Sequence, residues 1–181
     1  MESRKWVIRV ARLIAFVAVI GISVFVFSIR DRAEEFAVYG YPGIFLISLL
    51  SYATVLLPAP GIAIVFAMGS VFNPLGVALA AGSGAALGES IGYLAGFSGQ
   101  GIVERSDISD KLFAWMERNG PLTIFIISAV PNPFFDMAGV AAGALKMPYL
   151  RFLFWCWLGE VVKMSFFAFT GATSINRIFG T

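Results

Sequence analysis

The chain has 181 residues, 59% of them apolar and only 13% charged, with a mean hydropathy of +0.84. Soluble domains run at about 45–50% apolar and about 25% charged, so lipid is the expected solvent and an integral membrane protein the expected class. The absence of histidine and the single Cys156 exclude an intramolecular disulfide and a Cys/His zinc site, and a net charge of +2 spread along the chain excludes a nucleic-acid footprint.

Arg4, Lys5, Arg9 and Arg12 precede an uncharged run from Leu13 to Ile29 that closes at Arg30, Asp31 and Arg32. This reads as one spanning helix, somewhat short against the roughly 20 residues of a typical span, with Arg12 and Arg30 placed to snorkel. Ser23 to Ile29 lacks the small-residue cleavage site of a signal peptide, so an uncleaved N-terminal helix with its flanks is expected over residues 1–35.

Residues 36–99 form the first of two expected repeats. No charge occurs from Phe36 to Gly88, a length sufficient for two crossings, yet Pro42, Pro58, Pro60 and Pro74 interrupt it. Proline inside a helix removes a donor and clashes with the preceding turn, and broken backbone at membrane depth must be shielded by protein or water. A re-entrant hairpin over about 41–73, with its tip at Pro58, Pro60 and Gly61, satisfies both conditions, and a spanning helix follows over about 75–97. Charges return in residues 100–120, where Leu112, Phe113, Trp115 and Met116 interleave with them, predicting an amphipathic interfacial linker helix.

Residues 121–181 repeat the pattern: a hairpin over about 121–147 with its tip at Pro131, Asn132 and Pro133, then a spanning helix over about 149–175. The tips lie 73 residues apart, Gly69 with Pro74 matches Gly143 with Pro148 at 74, Gly96 matches Gly171 at 75, and Gly88-Glu89 faces Gly159-Glu160 at 71. The expected fold class is therefore an all-α integral membrane protein, an inverted repeat of re-entrant hairpin plus transmembrane helix behind one N-terminal transmembrane helix. Counting lysine and arginine favours a cytoplasmic N-terminus, which would bring in the two hairpins from opposite sides so that their tips meet near the midplane. Inverted broken-helix repeats are a signature of transporters.

Several residues could carry chemistry. Pro60 and Pro133 each open a half-helix whose free N–H groups suit an anion, and Asn132 could cap the turn and donate to that anion. Asp136, one turn on, is a candidate for proton coupling or for a helix cap. Glu89 stands in a spanning helix with no basic neighbour in sequence and is expected to be protonated, paired across helices or facing water. Glu160 and Lys163 lie three apart on one helix face and read either as an intrahelical ion pair or as substrate contacts. Together Glu89, Asp136, Glu160 and Lys163 make the expected polar cavity. Gly76, Ala80, Gly84, Gly88, Gly92 and Gly96 recur every four residues and predict a close-packing face. The Gly82-Ser83-Gly84 stretch lacks a histidine base for serine hydrolysis, and no catalytic set, metal site or cofactor motif stands out, so an enzyme is not expected.

The Pro58-Ala59-Pro60-Gly61 tip followed by Ala67-Met68-Gly69, the Gly84-x3-Gly88-Glu89-x2-Gly92-Tyr93-x2-Gly96 helix, and the Val130-Pro131-Asn132-Pro133 tip followed by Ala138-Gly139 resemble the DedA family. Its members are also described as VTT-domain or SNARE-associated Golgi-type proteins, and the resemblance covers about Tyr41 to Gly171. It implies opposed re-entrant hairpins and movement of lipids between leaflets: polyprenyl-phosphate recycling and proton-dependent membrane homeostasis in bacterial relatives, phospholipid scrambling in eukaryotic ones. Many members carry an acid beside the first tip and arginines beside the second. Here Leu56, Leu57 and Ile62 surround the first, and Ala129, Phe134 and Phe135 the second, leaving Glu89 with Asp136 as substitutes or the protein as an uncoupled scramblase. The expected function is thus a lipid transporter or scramblase of the plasma membrane. Its expected partners are phosphate-bearing lipids and protons, and a homo-oligomer stays open. A proton- or ion-coupled transporter of a small anionic solute is the alternative.

Overall fold

The computed structural model describes residues 33–53, 58–99, 107–131 and 135–179. The expected N-terminal helix and the tip residues Asn132 and Pro133 lie outside them. The described residues form six α-helices and no strand: α1 (Ala33–Ala53), α2 (Pro58–Gly69), α3 (Pro74–Phe97), α4 (Asp107–Ala129), α5 (Phe135–Ala144) and α6 (Tyr149–Phe179). Within α3 and α6, Pro74–Phe97 and Tyr149–Ser174 are long and apolar enough to cross a membrane; at 1.5 Å per residue the 24 residues of the first reach about 36 Å, past a hydrocarbon core of about 30 Å.

Local chemistry sets the helix ends. Asn73 caps α3, its side-chain oxygen accepting from the backbone N–H groups of Leu75 and Gly76 at 3.0 and 3.2 Å, with Pro74 in the first helical position, where its missing N–H costs nothing. A non-helical residue divides α4 beside Gly120, between its amphipathic and its apolar part. The chain bends at Asn119 (φ −155°, ψ 72°), immediately before Gly120-Pro121, and Pro121 restarts the helix within α4. Asn119 takes the N-cap position of the second part, its Oδ1 accepting from the Leu122 N–H at 3.5 Å, with Pro121 in the first turn, where a missing N–H costs nothing.

The burial pattern is that of a protein dissolved in lipid. Along α3 the buried side chains are small or polar, including Ala78, Ala81, Ala85, Glu89 and Ser90, while Leu75, Leu79, Leu87, Ile91, Leu94 and Phe97 are exposed. On α6, Glu160 and Lys163 are buried together with Phe152, Cys156 and Met164, while Leu150, Phe154, Phe166 and Phe169 are exposed. In water such an arrangement would leave the apolar surface unburied; in hydrocarbon it leaves close packing and polar contacts as the forces between helices.

Glycine sets those contacts. A Cβ on Gly84 or Gly88 would meet the α1 backbone at Phe45, Leu49 and Ala53, and one on Gly96 would land on the Val140 carbonyl oxygen of α5. The four-residue face expected on α3 therefore serves two neighbours in succession, α1 along most of its length and α5 at its C-terminal end, because α1 ends level with Gly88. Gly143 of α5 packs on the α3 backbone at Tyr93 and Phe97; Gly69 of α2 packs on Ala168 of α6, Gly171 of α6 on Phe66 of α2, and Gly159 of α6 on Phe125 and Ala129 of α4. Helices α1 and α5 thus gather on α3, helices α2 and α4 on α6, and α3 packs against α6.

A buried charged cluster between the spanning helices

Three ionisable side chains are buried where α3 faces α6: Glu89 on α3, 3% exposed, and Glu160 and Lys163 on α6, 0% and 5% exposed. Three residues apart on one helix face, the Lys163 ammonium donates to Glu160 Oε1 at 2.6 Å. The second oxygen, Glu160 Oε2, has no hydrogen-bond partner among the described residues. Lys163 Nζ also stands 5.0 Å from the centroid of the Tyr52 ring, which α1 supplies from its last turn. A buried carboxylate is held against desolvation only by its partners, so this one depends on the ammonium three residues away.

Around the pair lie Cys156 and Ser128, both fully buried. Their side chains share a hydrogen bond, Ser128 Oγ donates to the Ile124 carbonyl at 2.7 Å, and both Glu89 and Glu160 act electrostatically on the thiol. The two short helices reach this region as well. Gly61, in the first turns of α2, has its Cβ position 3.4 to 3.7 Å from Ser51 and Tyr52; Gly139 of α5 packs on the backbone from Glu89 to Tyr93, with the Glu89 carbonyl at 3.5 Å from its Cβ position. Tyr52 thereby links the first break to Lys163, and Gly139 links the second to Glu89.

The expected residues sort as follows. Glu160 and Lys163 come together, and Glu89 is buried on α3 within electrostatic reach of Cys156, as Glu160 is. Pro58 and Pro60 lie in the first turn of α2 and Asp136 is the second residue of α5, but their side chains fall outside the described set. Pro131 is exposed between α4 and α5. Gly84, Gly88 and Gly96 are buried helix contacts, and the Gly92 backbone lies against Gly139. Ser83 is engaged as an acceptor, taking the Trp157 indole N–H at 3.0 Å and tying α3 to α6.

Sequence reasoning missed Tyr52, Ser128 and Cys156, which are ordinary residues in an apolar run and carry no motif. It also missed the lock formed by Tyr93, whose hydroxyl donates to the Met147 carbonyl while its ring stacks on Phe152 at 4.9 Å, and by Ser90 with Tyr149, their hydroxyls 3.0 Å apart. The Gly-x3-Gly-Tyr-x2-Gly spacing around Tyr93 was the available signal: small residues on each side admit one large ring to the interface. No group of three or more His, Cys, Asp or Glu side chains among the described residues is arranged to hold a metal ion.

Comparison with known proteins gives one match: the family model described as the VTT domain matches residues 57–173, from the first break through almost all of the α6 span. No curated protein and no solved structure gives a significant match.

Proposed function

The chain belongs to the VTT-domain family, the domain of DedA and SNARE-associated membrane proteins, and on that premise we propose that it is a transporter moving phosphate-bearing lipid, phospholipid or polyprenyl phosphate, between leaflets with a proton as coupling ion. The observation that carries this reading is the buried Glu160–Lys163 pair, one of whose carboxylate oxygens has no partner among the described residues, on the side of α6 that faces α3. A carboxyl group with a free oxygen beside an ammonium can take up a proton, and the released ammonium can then hold a phosphate; loss of the phosphate restores the pair. Glu89 and Asp136 would adjust that exchange from α3 and α5.

The reading includes two inverted copies with re-entrant hairpins, a cytoplasmic N-terminus and residence in the plasma membrane. It is supported by the interlocking glycines: Gly69 on Ala168 and Gly143 on Tyr93 are counterparts at offsets near 74, and so are Gly171 on Phe66 and Gly96 on Val140. Each second hairpin helix packs on the spanning helix of the other copy, the exchange expected of copies related by a two-fold axis. The complete burial of the pair favours one other reading, a proton- or ion-coupled carrier of a small anion, since a small solute fits such a site whole.

The test is translocation in proteoliposomes at two pH values, with headgroup-labelled phospholipid, polyprenyl phosphate and inorganic phosphate as substrates, for the wild type, Glu160→Gln, Glu89→Gln and Asp136→Asn. Lipid movement that depends on pH in the wild type and is lost in Glu160→Gln is the expected result. Uptake of inorganic phosphate without lipid movement would replace the lipid reading with the small-anion one, and movement of neither would end both.

A further inference from the structure

A second polar feature lies at the end of the helices, outside the charged cluster. A cavity of about 490 Å³ opens between the bend in α4 and the loop joining α5 to α6. Its charged lining is Arg118, Lys146 and Arg151 against a single acid, Glu117; all four side chains are exposed, and none forms an ion pair among the described residues. The location is that of the membrane interface. Pro148 and Arg151 lie at the start of the α6 span, and Trp115, 61% exposed one turn before Arg118, is the amphipathic ring expected at headgroup level.

Two observations separate this lining from what the fold requires. Lys146 has φ 52°, in the left-handed region, at the position after the end of α5. Its N–H bonds to the Gly143 carbonyl and that of Met147 to the Ala142 carbonyl, at 2.9 and 3.0 Å, the closing pattern in which this position is usually glycine. A lysine therefore holds a strained place that glycine would fill more easily. At the offset of 74 that aligns Gly69 and Pro74 with Gly143 and Pro148, Lys146 and Arg151 correspond to Phe72 and Val77, both buried and apolar. The first half carries no charge at these positions, and its chain leaves α2 without a left-handed residue, Phe72 N–H bonding to the Met68 carbonyl instead.

We infer that this cavity is a binding site for an anionic phosphate headgroup, with Arg118, Lys146 and Arg151 as its cationic contacts. Three cations at the level of lipid phosphates concentrate negative charge, and a basic pocket between helix ends at the interface is the form a headgroup site takes. The volume accommodates a phosphate together with the glycerol that bears it, within the size range of small-molecule sites. The site is independent of the transport reading, since its occupant stays at the interface.

The test measures thermal unfolding of the purified full-length protein in mild detergent, with dioctanoyl phosphatidic acid, dioctanoyl phosphatidylcholine or inorganic phosphate added. The expected result is a Tm rise of roughly 5 °C with phosphatidic acid at a hundredfold excess over its Kd, small with phosphatidylcholine and reduced by salt. An equal rise with inorganic phosphate would identify free phosphate as the ligand, and a rise with phosphatidic acid alone would identify the lipid. Arg151→Gln should lose more than half of the rise. Lys146→Gly should do the same while raising the ligand-free Tm, because it removes charge and relieves the backbone together, so a loss of response in that variant is not a folding defect. Glu160→Gln should respond as the wild type does, which keeps a failure of this site distinct from a failure of transport. No rise with phosphatidic acid or inorganic phosphate, an equal rise with phosphatidylcholine, or an undiminished rise in Arg151→Gln and Lys146→Gly would overturn the inference.

Discussion

The Glu160–Lys163 pair makes a quantitative prediction because it is buried, short and incompletely satisfied. Lys163→Met removes the ammonium 2.6 Å from Glu160 Oε1 and leaves a fully buried carboxyl group with neither oxygen bonded among the described residues. Removing one partner of such a pair costs about 3–5 kcal/mol. Glu160→Gln is milder: the amide oxygen still accepts from Lys163, and the Tyr52 ring at 5.0 Å offers the ammonium a cation–π contact of about 0.5–2 kcal/mol, so a loss of about 1–2 kcal/mol is expected. The double variant Glu160→Leu with Lys163→Met replaces both charges by apolar groups of similar volume and should be neutral, or more stable than the wild type by about 1–4 kcal/mol. The signature is strong non-additivity. Unfolding in mixed micelles with increasing sodium dodecyl sulfate, followed by tryptophan fluorescence, measures it, since Trp155 and Trp157 flank Cys156 beside the pair. If Lys163→Met cost less than about 1 kcal/mol, or if the double variant lost the sum of the single losses, the reasoning from burial and desolvation would be refuted. The double variant also separates stability from function, because it should fold well and translocate nothing. Full activity in that variant would make the pair structural and remove the observation on which the proposed mechanism rests.

Two further predictions concern helix contacts. Gly96→Ala places a methyl group on the Val140 carbonyl oxygen, a backbone atom that cannot rotate away, and should destabilise the α3–α5 contact by about 1–3 kcal/mol, read as a lower unfolding midpoint and a broadened gel-filtration peak; Gly43→Ala, with nothing near its Cβ position, is the control expected to change neither. Ser83→Ala removes the acceptor of the Trp157 indole, 3.0 Å away, at a cost of about 0.5–1.5 kcal/mol with translocation retained; complete loss of activity in a folded Ser83→Ala protein would instead assign the serine a chemical role.

Much of the helix pattern was legible because proline and glycine state it outright. Pro58, Pro74 and Pro148 stand at or beside helix starts, and Asn73-Pro74 is a cap followed by a first-turn proline. Gly120-Pro121 likewise marks the junction within α4, where Asn119 departs from helical geometry between the amphipathic and the apolar part. In the charged cluster, Glu160 and Lys163 were readable from their spacing alone, since three residues apart on a helix is contact distance. Tyr52, Ser128 and Cys156 were not, because their roles arise from α1, α4 and α6 meeting at one place, and no local pattern encodes which apolar faces meet in a membrane protein whose interfaces are small residues throughout. The cavity at Arg118, Lys146 and Arg151 was hidden for the same reason. Its residues are separated by 28 and 33 positions in sequence and were counted only for their charge.

The order of contacts carries a consequence for how the molecule can hold itself together. Helices α1, α3 and α5 pack as one group around α3, and α2, α4 and α6 as another around α6, so every connection in the described chain crosses from one group to the other. The tightest glycine contacts of each short helix reach into the other half of the sequence: Gly69 of α2 finds Ala168, and Gly143 of α5 finds Tyr93. In hydrocarbon these backbone approaches supply the packing that apolar burial supplies in water. The two groups meet along α3 and α6, at Gly82 on Val161, at Ser83 on Trp157, at the Tyr93 ring on Phe152, and at the buried acids between them. Any displacement of one group against the other must therefore act at the interface that contains Glu89, Glu160 and Lys163. A change in the charge state of that cluster falls on the surface along which the two groups meet, where it alters the contacts that hold them together.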